Sequence, residues 1–226
     1  MLGVVINTAA VIVGSLVGLL LKKGIPESVK DIVMKGIALC TMYIGIQGAL
    51  KGENTLVLII SIVLGSIIGQ SLDLDKQLNN FALKLENKFK KPGEETSIAQ
   101  GFIAASLLFC VGAMTIVGSL QAGLTGNNEM LITKSTLDLI SSCIFASALG
   151  IGVLFSASFV FIFQGTIVLL AQYISPFLGD YVIAEMTCAG SILILGLSLN
   201  ILGVTNLKIM DYLPAIFLPI ILCTFM

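Results

Sequence analysis

The sequence predicts an all-α fold, a polytopic transmembrane helical bundle of about eight spans that forms one integral membrane domain over residues 1–226. Three observations carry this. Hydrophobic residues make up 57% of the chain and charged residues only 11%, against roughly 25% charged in soluble domains. The apolar runs are unbroken and close to the ~20 residues that a helix needs to cross hydrocarbon. A β-barrel would instead alternate in segments of about ten residues. The lysines also gather in alternate links, as the positive-inside bias requires.

The first span runs over 2–21. It reads as a retained helix rather than a signal peptide, because no basic region precedes it and Lys22 and Lys23 follow it. Gly14 and Gly18 form a GxxxG beside Ser15, a small face that lets two helices approach closely. A polar link over 22–35 opens a helix at Pro26, Glu27 and Ser28. The second span covers 36–50 and ends in a tight turn over 51–54. The third covers 55–72, with a further GxxxG at Gly65 and Gly69.

Residues 73–97 form the long hydrophilic segment. Leu74, Leu78, Phe81, Leu85 and Phe89 recur at helical spacing between lysines and carboxylates. This predicts one amphipathic cytoplasmic link between spans three and four, lying on the membrane surface or under the bundle.

The fourth span covers 98–120, with a break or kink expected over Gly112 to Gly118. A polar bend over 121–133 includes TGNNE, a turn signal. The apolar stretch 133–173 is too long for one crossing at 1.5 Å per residue. It divides at Gly150-Ile151-Gly152 into spans five and six. Span seven covers 184–202 and span eight 212–226, the latter short and holding Pro214 and Pro219. Merging or losing one would leave seven.

Under alternating crossings, ten lysines fall on one side: Lys22, Lys23, Lys30, Lys35, Lys76, Lys84, Lys88, Lys90, Lys91 and Lys208. Only Lys51 and Lys134 fall on the other. This predicts an N-terminus outside. Spans two and seven resemble one another (GIALCTMYIGIQGAL and AGSILILGLSLNILG) and stand five crossings apart. A duplication relating them would be an inverted repeat, a transporter architecture.

The chain has no His, which excludes His-based catalysis and most zinc and haem sites. It has no Arg, hence no bidentate anion clamp. A net charge of −1 gives no sign of nucleic-acid binding. The five cysteines lie in apolar runs without a CxxC and read as small packing residues. No metal and no cofactor are expected.

The stretch FIAASLLFCVGAMTIVGSLQAGLTGNNEMLITKSTLDLISSCIFASALGIGVLFSA resembles the YqgA/YdfK-like bacterial membrane protein family, domain of unknown function 554. The opening GVVINTAAVIVGSLVGLLLKKGIP and the later QGTIVLLAQ and EMTCAGSILILGLSLNILG fit the same family in order, so the resemblance covers nearly the whole chain. It implies a bacterial plasma-membrane location and a transporter-like role, with no settled substrate. Ala113 departs from the pattern, since many relatives are expected to carry Pro there. A softer kink rather than a sharp break is therefore expected in the fourth span.

Charges inside hydrocarbon cost about 2.5–3.5 kcal/mol on insertion scales, so polar groups within spans are the candidates for function. Lys134 and Asp138 are spaced to pair at i, i+4. Glu185 opens span seven, and Asn7, Gln47 and Gln121 lie at similar depth. The six are expected to line one outward-facing polar cavity. Gln164 and Asn200 are expected to hydrogen-bond between helices.

The leading expectation is a carrier of a small solute or ion, with Asp138 or Glu185 taking a cation or proton. The alternative is a structural or regulatory subunit acting through protein partners at the 73–91 segment. An intramembrane aspartyl enzyme would need Asp138 and Glu185 to meet, and the chain is not expected to be an enzyme. Besides the bilayer and a solute, a homo-oligomer remains open.

Overall fold

A computed structural model describes residues 1–22, 27–77, 80 and 98–225. All regular structure among them is helical. The helices are α1 (Leu2–Lys22), α2 (Glu27–Ala49), α3 (Thr55–Ser71), α4 (Ile98–Cys110), α5 (Ala113–Leu124), α6 (Glu129–Leu149), α7 (Gly152–Ile174) and α8 (Asp180–Ile201). A 3-10 turn, Ser175–Phe177, links α7 to α8. The chain closes with a 3-10 helix, Ile209–Ile216, and the single turn α9, Pro219–Leu222. The expected amphipathic link over 73–97 lies outside the described residues except at 73–77 and 80.

Among the described residues five helices are long and apolar enough to cross a membrane: α1, α2, α6, α7 and α8. The pair α4–α5, bent by 59°, makes a sixth candidate when its two halves are taken as one span. The remaining two expected spans are shorter. The third, α3, has 17 residues, about 26 Å of rise. The last is wound mainly as 3-10 helix around Pro214. Proline removes the amide that an α-helix would use and clashes with the preceding turn, so the segment tightens instead of continuing.

Of the break and the kink expected in the fourth span, the structure has the sharp break that Ala113 had counted against. Gly112 adopts φ 149°, a conformation that side-chain-bearing residues avoid. The helix stops at Cys110 and restarts at Ala113 on a new axis. The division at Gly150 stands where expected, with φ 80° at that glycine.

Close packing follows the small residues. A Cβ on Gly14 would strike Leu139 O and Ser142 Oγ, and one on Gly18 would strike Cys143 O. The backbones of α1 and α6 therefore touch along the first GxxxG. Gly65 and Gly69 bring α3 onto Ala215 and Asp211 in the same way. Gly45 and Gly48 seat α2 against Leu195 and Ser191 of α8, so the two segments proposed as repeats are packed on each other.

The contacts also give direction. α1 and α6 run parallel, since Gly3 meets Leu131 and Gly18 meets Ala146. α2 and α8 are antiparallel, since Gly45 meets Leu195 and Gly52 meets Cys188. α3 opposes the 3-10 segment, and α4 meets α7 where Gly101 stands beside Gly152. The first three of these pairs have the sense that alternating crossings require. Of the five long helices α8 is the most enclosed, with 72% of its most apolar window buried.

Candidate functional site

On α6 the usual amphipathic pattern is inverted. Ile132, Leu137, Ile140 and Ile144 are exposed, while Lys134, Ser135, Asp138 and Ser142 are buried. The exposed stripe is the one that suits lipid, and the polar stripe faces the interior. This is the arrangement expected where polar groups must be kept from hydrocarbon. α6 begins at Glu129, earlier than the bend over 121–133 implied. Asn127 Oδ1 accepts from Glu129 N at 2.9 Å and Asn128 Oδ1 from Gly3 N at 2.9 Å. These bonds close the bend in fewer residues, so Lys134 lies a full turn inside the helix.

Lys134 Nζ and Asp138 Oδ2 form an ion pair, each residue only 6% exposed. The ammonium stands 5.8 Å from the centre of the Phe109 ring, a cation–π distance. From α1, the fully buried Asn7 adjoins the Asp138 carboxylate. Its amide nitrogen and oxygen make no well-formed hydrogen bond among the described residues. Cys110, the last residue of α4, lies within the field of both charges. The pair thus sits beside the α4–α5 break. Thr115 Oγ1 donates to Phe109 O at 2.9 Å across that break, satisfying one of the carbonyls the interruption releases.

The structure does not bring all six expected residues together. Glu185 is 1% exposed but belongs to a different setting. Its Oε1 accepts from Glu53 N at 2.6 Å and Asn54 N at 2.8 Å, pinning the α2–α3 turn. Oε2 is buried with no partner among the described residues. Cys188 Sγ donates to Ala49 O at 3.1 Å beside it. Gln47 is exposed and donates to Tyr43 Oη at 2.9 Å. Gln121 is half-buried in the last turn of α5, its carbonyl accepting from Thr125 Oγ1 at 2.8 Å. Asn7, Lys134 and Asp138 remain as one cluster. Among the described residues Asp138 and Glu185 share no hydrogen-bond partner: Glu185 holds the α2–α3 turn and Asp138 pairs with Lys134.

Two further expectations are corrected. Asn200 does not bridge helices: its side chain closes the loop after α8, donating to Leu207 O at 2.7 Å and accepting from Leu207 N at 2.9 Å. The chain turns at Gly203, φ 74°, which folds residues 204–208 back onto that amide. Gln164 is fully buried, yet its side-chain atoms find no partner among the described residues. Sequence reasoning missed Asp211, which is 4% exposed and accepts from Asp75 N at 2.9 Å. The available signal was a carboxylate two residues into an apolar run. Among the described residues no three His, Cys, Asp or Glu side chains are gathered as metal ligands, and the five cysteines are free.

A family model described as "Protein of unknown function (DUF554)" matches residues 2–224. The chain is 34% identical over 223 residues to "Uncharacterized membrane protein YdfK" of Bacillus subtilis (strain 168), spanning 97% of this chain and 94% of that one. It is 33% identical over 221 residues to "Uncharacterized protein YqgA" of Escherichia coli (strain K12), spanning 96% and 94%. No solved structure matches.

Proposed function

The chain belongs to the DUF554 family, and from that footing we propose that this membrane protein carries a small solute or ion across the bilayer, with Asp138 as its exchangeable carboxylate. One observation carries the reading: a buried Lys134–Asp138 pair lies beside the interrupted helix α4–α5. Interrupted helices at buried polar groups are how many carriers build a solute site, because the released backbone groups and the charges face a cavity instead of lipid. Isolated charges there would be expelled or neutralised.

The pair supports two states. In one, Lys134 neutralises Asp138. In the other, a cation or proton takes its place at the carboxylate and the ammonium swings away. Asn7 adjoins the carboxylate without a well-formed hydrogen bond among the described residues, and its amide supplies a donor and an acceptor to the guest. Glu185 has no such freedom, since its carboxylate oxygen is already held by two backbone amides. The lysine distribution orients the carrier with its N-terminus and the Glu129 end of α6 outside.

The test is reconstitution into liposomes loaded with a proton-sensitive dye, with imposed gradients of H⁺, Na⁺ and K⁺ and a panel of small metabolites. Wild-type protein should give flux above protein-free liposomes. Asp138→Asn should abolish it, and Gln47→Ala should not. Equal leak from wild type, Asp138→Asn and empty liposomes across the panel would remove the reading.

A further inference from the structure

A second feature, an apolar cavity, is lined by neither member of the ion pair. It has a volume of about 480 Å³ and is enclosed by α4, α5, α7, α8 and the C-terminal 3-10 segment. On α4 its wall is formed by Ser106, Leu107 and Cys110, continued by Val111 at the break. These positions are spaced one helical turn apart, so they share a face. Phe109, the residue under Lys134, does not line it. α4 therefore separates the cavity from the charges, and the cavity backs directly onto the break.

The lining is almost wholly hydrocarbon. Ser106 and Thr166 are the only hydroxyl-bearing residues along it among those described, and the Ser106 hydroxyl is itself buried without a partner. Water held in such a space needs two to four polar partners, and the walls do not offer them. An ordinary polar solute fails for the same reason. Three ring contacts, Phe102–Phe159, Phe159–Phe163 and Phe163–Phe217, run along α7 to the C-terminal segment. They keep the walls apart with groups that cannot collapse into the space.

What enters is decided by where the cavity opens. Ile162, Leu170, Phe177 and Phe217 line it and are also 64%, 44%, 59% and 44% exposed. Ile162 and Leu170 belong to the membrane-crossing part of α7. The cavity therefore communicates with the medium that bathes those side chains, the bilayer interior. We infer that this cavity is a binding site for an acyl chain of a bilayer lipid, which inserts laterally between α7 and the C-terminal segment and packs behind the α4–α5 break.

The absence of tryptophan from the chain makes a direct test available. Single tryptophans are introduced one at a time, and each protein is reconstituted into phosphatidylcholine vesicles brominated on the acyl chains, which quench tryptophan on contact. Leu107→Trp reports from the buried cavity wall. Phe161→Trp reports from the exposed surface of α7, and Phe145→Trp from a buried place that does not line the cavity. Leu107→Trp should lose most of its emission, as Phe161→Trp does, while Phe145→Trp keeps most of its own. Adding Ile167→Phe narrows the cavity. It should restore Leu107→Trp emission toward the Phe145→Trp level and leave Phe161→Trp quenched. If Leu107→Trp fails to fold, Met186→Trp gives the same reading from the α8 wall. A cavity-wall tryptophan protected as well as Phe145→Trp would overturn the inference, whether a second copy or the protein itself fills the space. Quenching that ignores Ile167→Phe would overturn it too.

Discussion

Glu185 and Asp211 grip α3 from its two ends. Glu185 takes the amides of Glu53 and Asn54 in the turn before the helix, and Asp211 takes the amide of Asp75 in the turn after it. Both carboxylates are buried, 1% and 4% exposed. The length of α3 explains the need. With 17 residues it is short, and although Glu53 is exposed and Asn54 and Asp75 are half-buried, their amides turn inward to these two buried acceptors. A buried amide without a partner is costly, and a carboxylate is the strongest acceptor a side chain can offer it.

Glu185→Ala should release the α2–α3 turn, while Glu185→Gln, which keeps an acceptor oxygen, should hold it. Hydrogen bonds to charged groups contribute about 1.5–3 kcal/mol each. Amide exchange at Glu53 and Asn54 should therefore quicken by roughly tenfold or more in the alanine variant. It should change much less in the glutamine variant. Unchanged exchange in Glu185→Ala would show that the turn is held by something else.

Removing one member of the Lys134–Asp138 pair should harm stability more than removing both. Lys134→Met or Asp138→Leu alone strands a buried charge, at a cost of about 3–5 kcal/mol. The double variant removes both charges and should recover most of that loss, while the flux proposed above should stay abolished. Thermal unfolding in detergent of the four proteins gives the comparison. Losses that simply add would mean that the two charges do not depend on each other.

Much of this arrangement was legible in the chain, for identifiable reasons. Span order follows from hydropathy, which is a local property. The glycine pairs at 14/18 and 65/69 announced close contact because a missing Cβ has a single steric meaning. What hydropathy cannot give is the partner of a polar side chain. Glu185 and Asp138 look alike in sequence, each a carboxylate near the start of a span. Their difference is that Glu185 meets a turn 131 and 132 residues earlier, whereas Asp138 meets Lys134 in its own helix. The sharp break at Gly112 was hidden for a related reason. Glycine permits the conformation without demanding it, and the demand comes from packing against α7 and α6.

Gly14→Leu should destabilise the protein by about 1–3 kcal/mol, the usual range for overpacking. Its side chain would strike the α6 backbone at Leu139. Gly36→Ala is the control. A Cβ there meets nothing within 4 Å, and alanine favours a helix over glycine by roughly 0.5–1 kcal/mol. The two substitutions should move the midpoint of thermal unfolding in opposite directions. A harmless Gly14→Leu would mean that α1 and α6 can separate freely.

Orientation is tested from two exposed lysines on opposite sides of the alternating crossings, Lys51 and Lys208. In a background with the five native cysteines replaced, Lys51→Cys should react with a membrane-impermeant maleimide in intact cells. Lys208→Cys should react only after permeabilisation. The reverse pattern would place the N-terminus inside.

The break itself can be challenged without crowding it. Gly112 has open space where a Cβ would stand, yet its φ of 149° is one that alanine resists. Gly112→Ala therefore tests backbone strain alone, worth about 1–3 kcal/mol. The variant has two ways out: to bear the strain and unfold earlier, or to relax the 59° bend and lengthen the distance from Gln100 to Leu124. Spin labels at those two positions, read together with the unfolding midpoint, separate the outcomes. Thr115→Val acts on the other side of the same feature, removing the 2.9 Å bond to Phe109 O at nearly constant shape. It should cost about 1–3 kcal/mol by leaving that carbonyl unpaired. If the break positions the ion pair, both substitutions reduce flux even where the protein stays folded. Full flux through a protein whose α4–α5 bend has demonstrably straightened would detach the break from function.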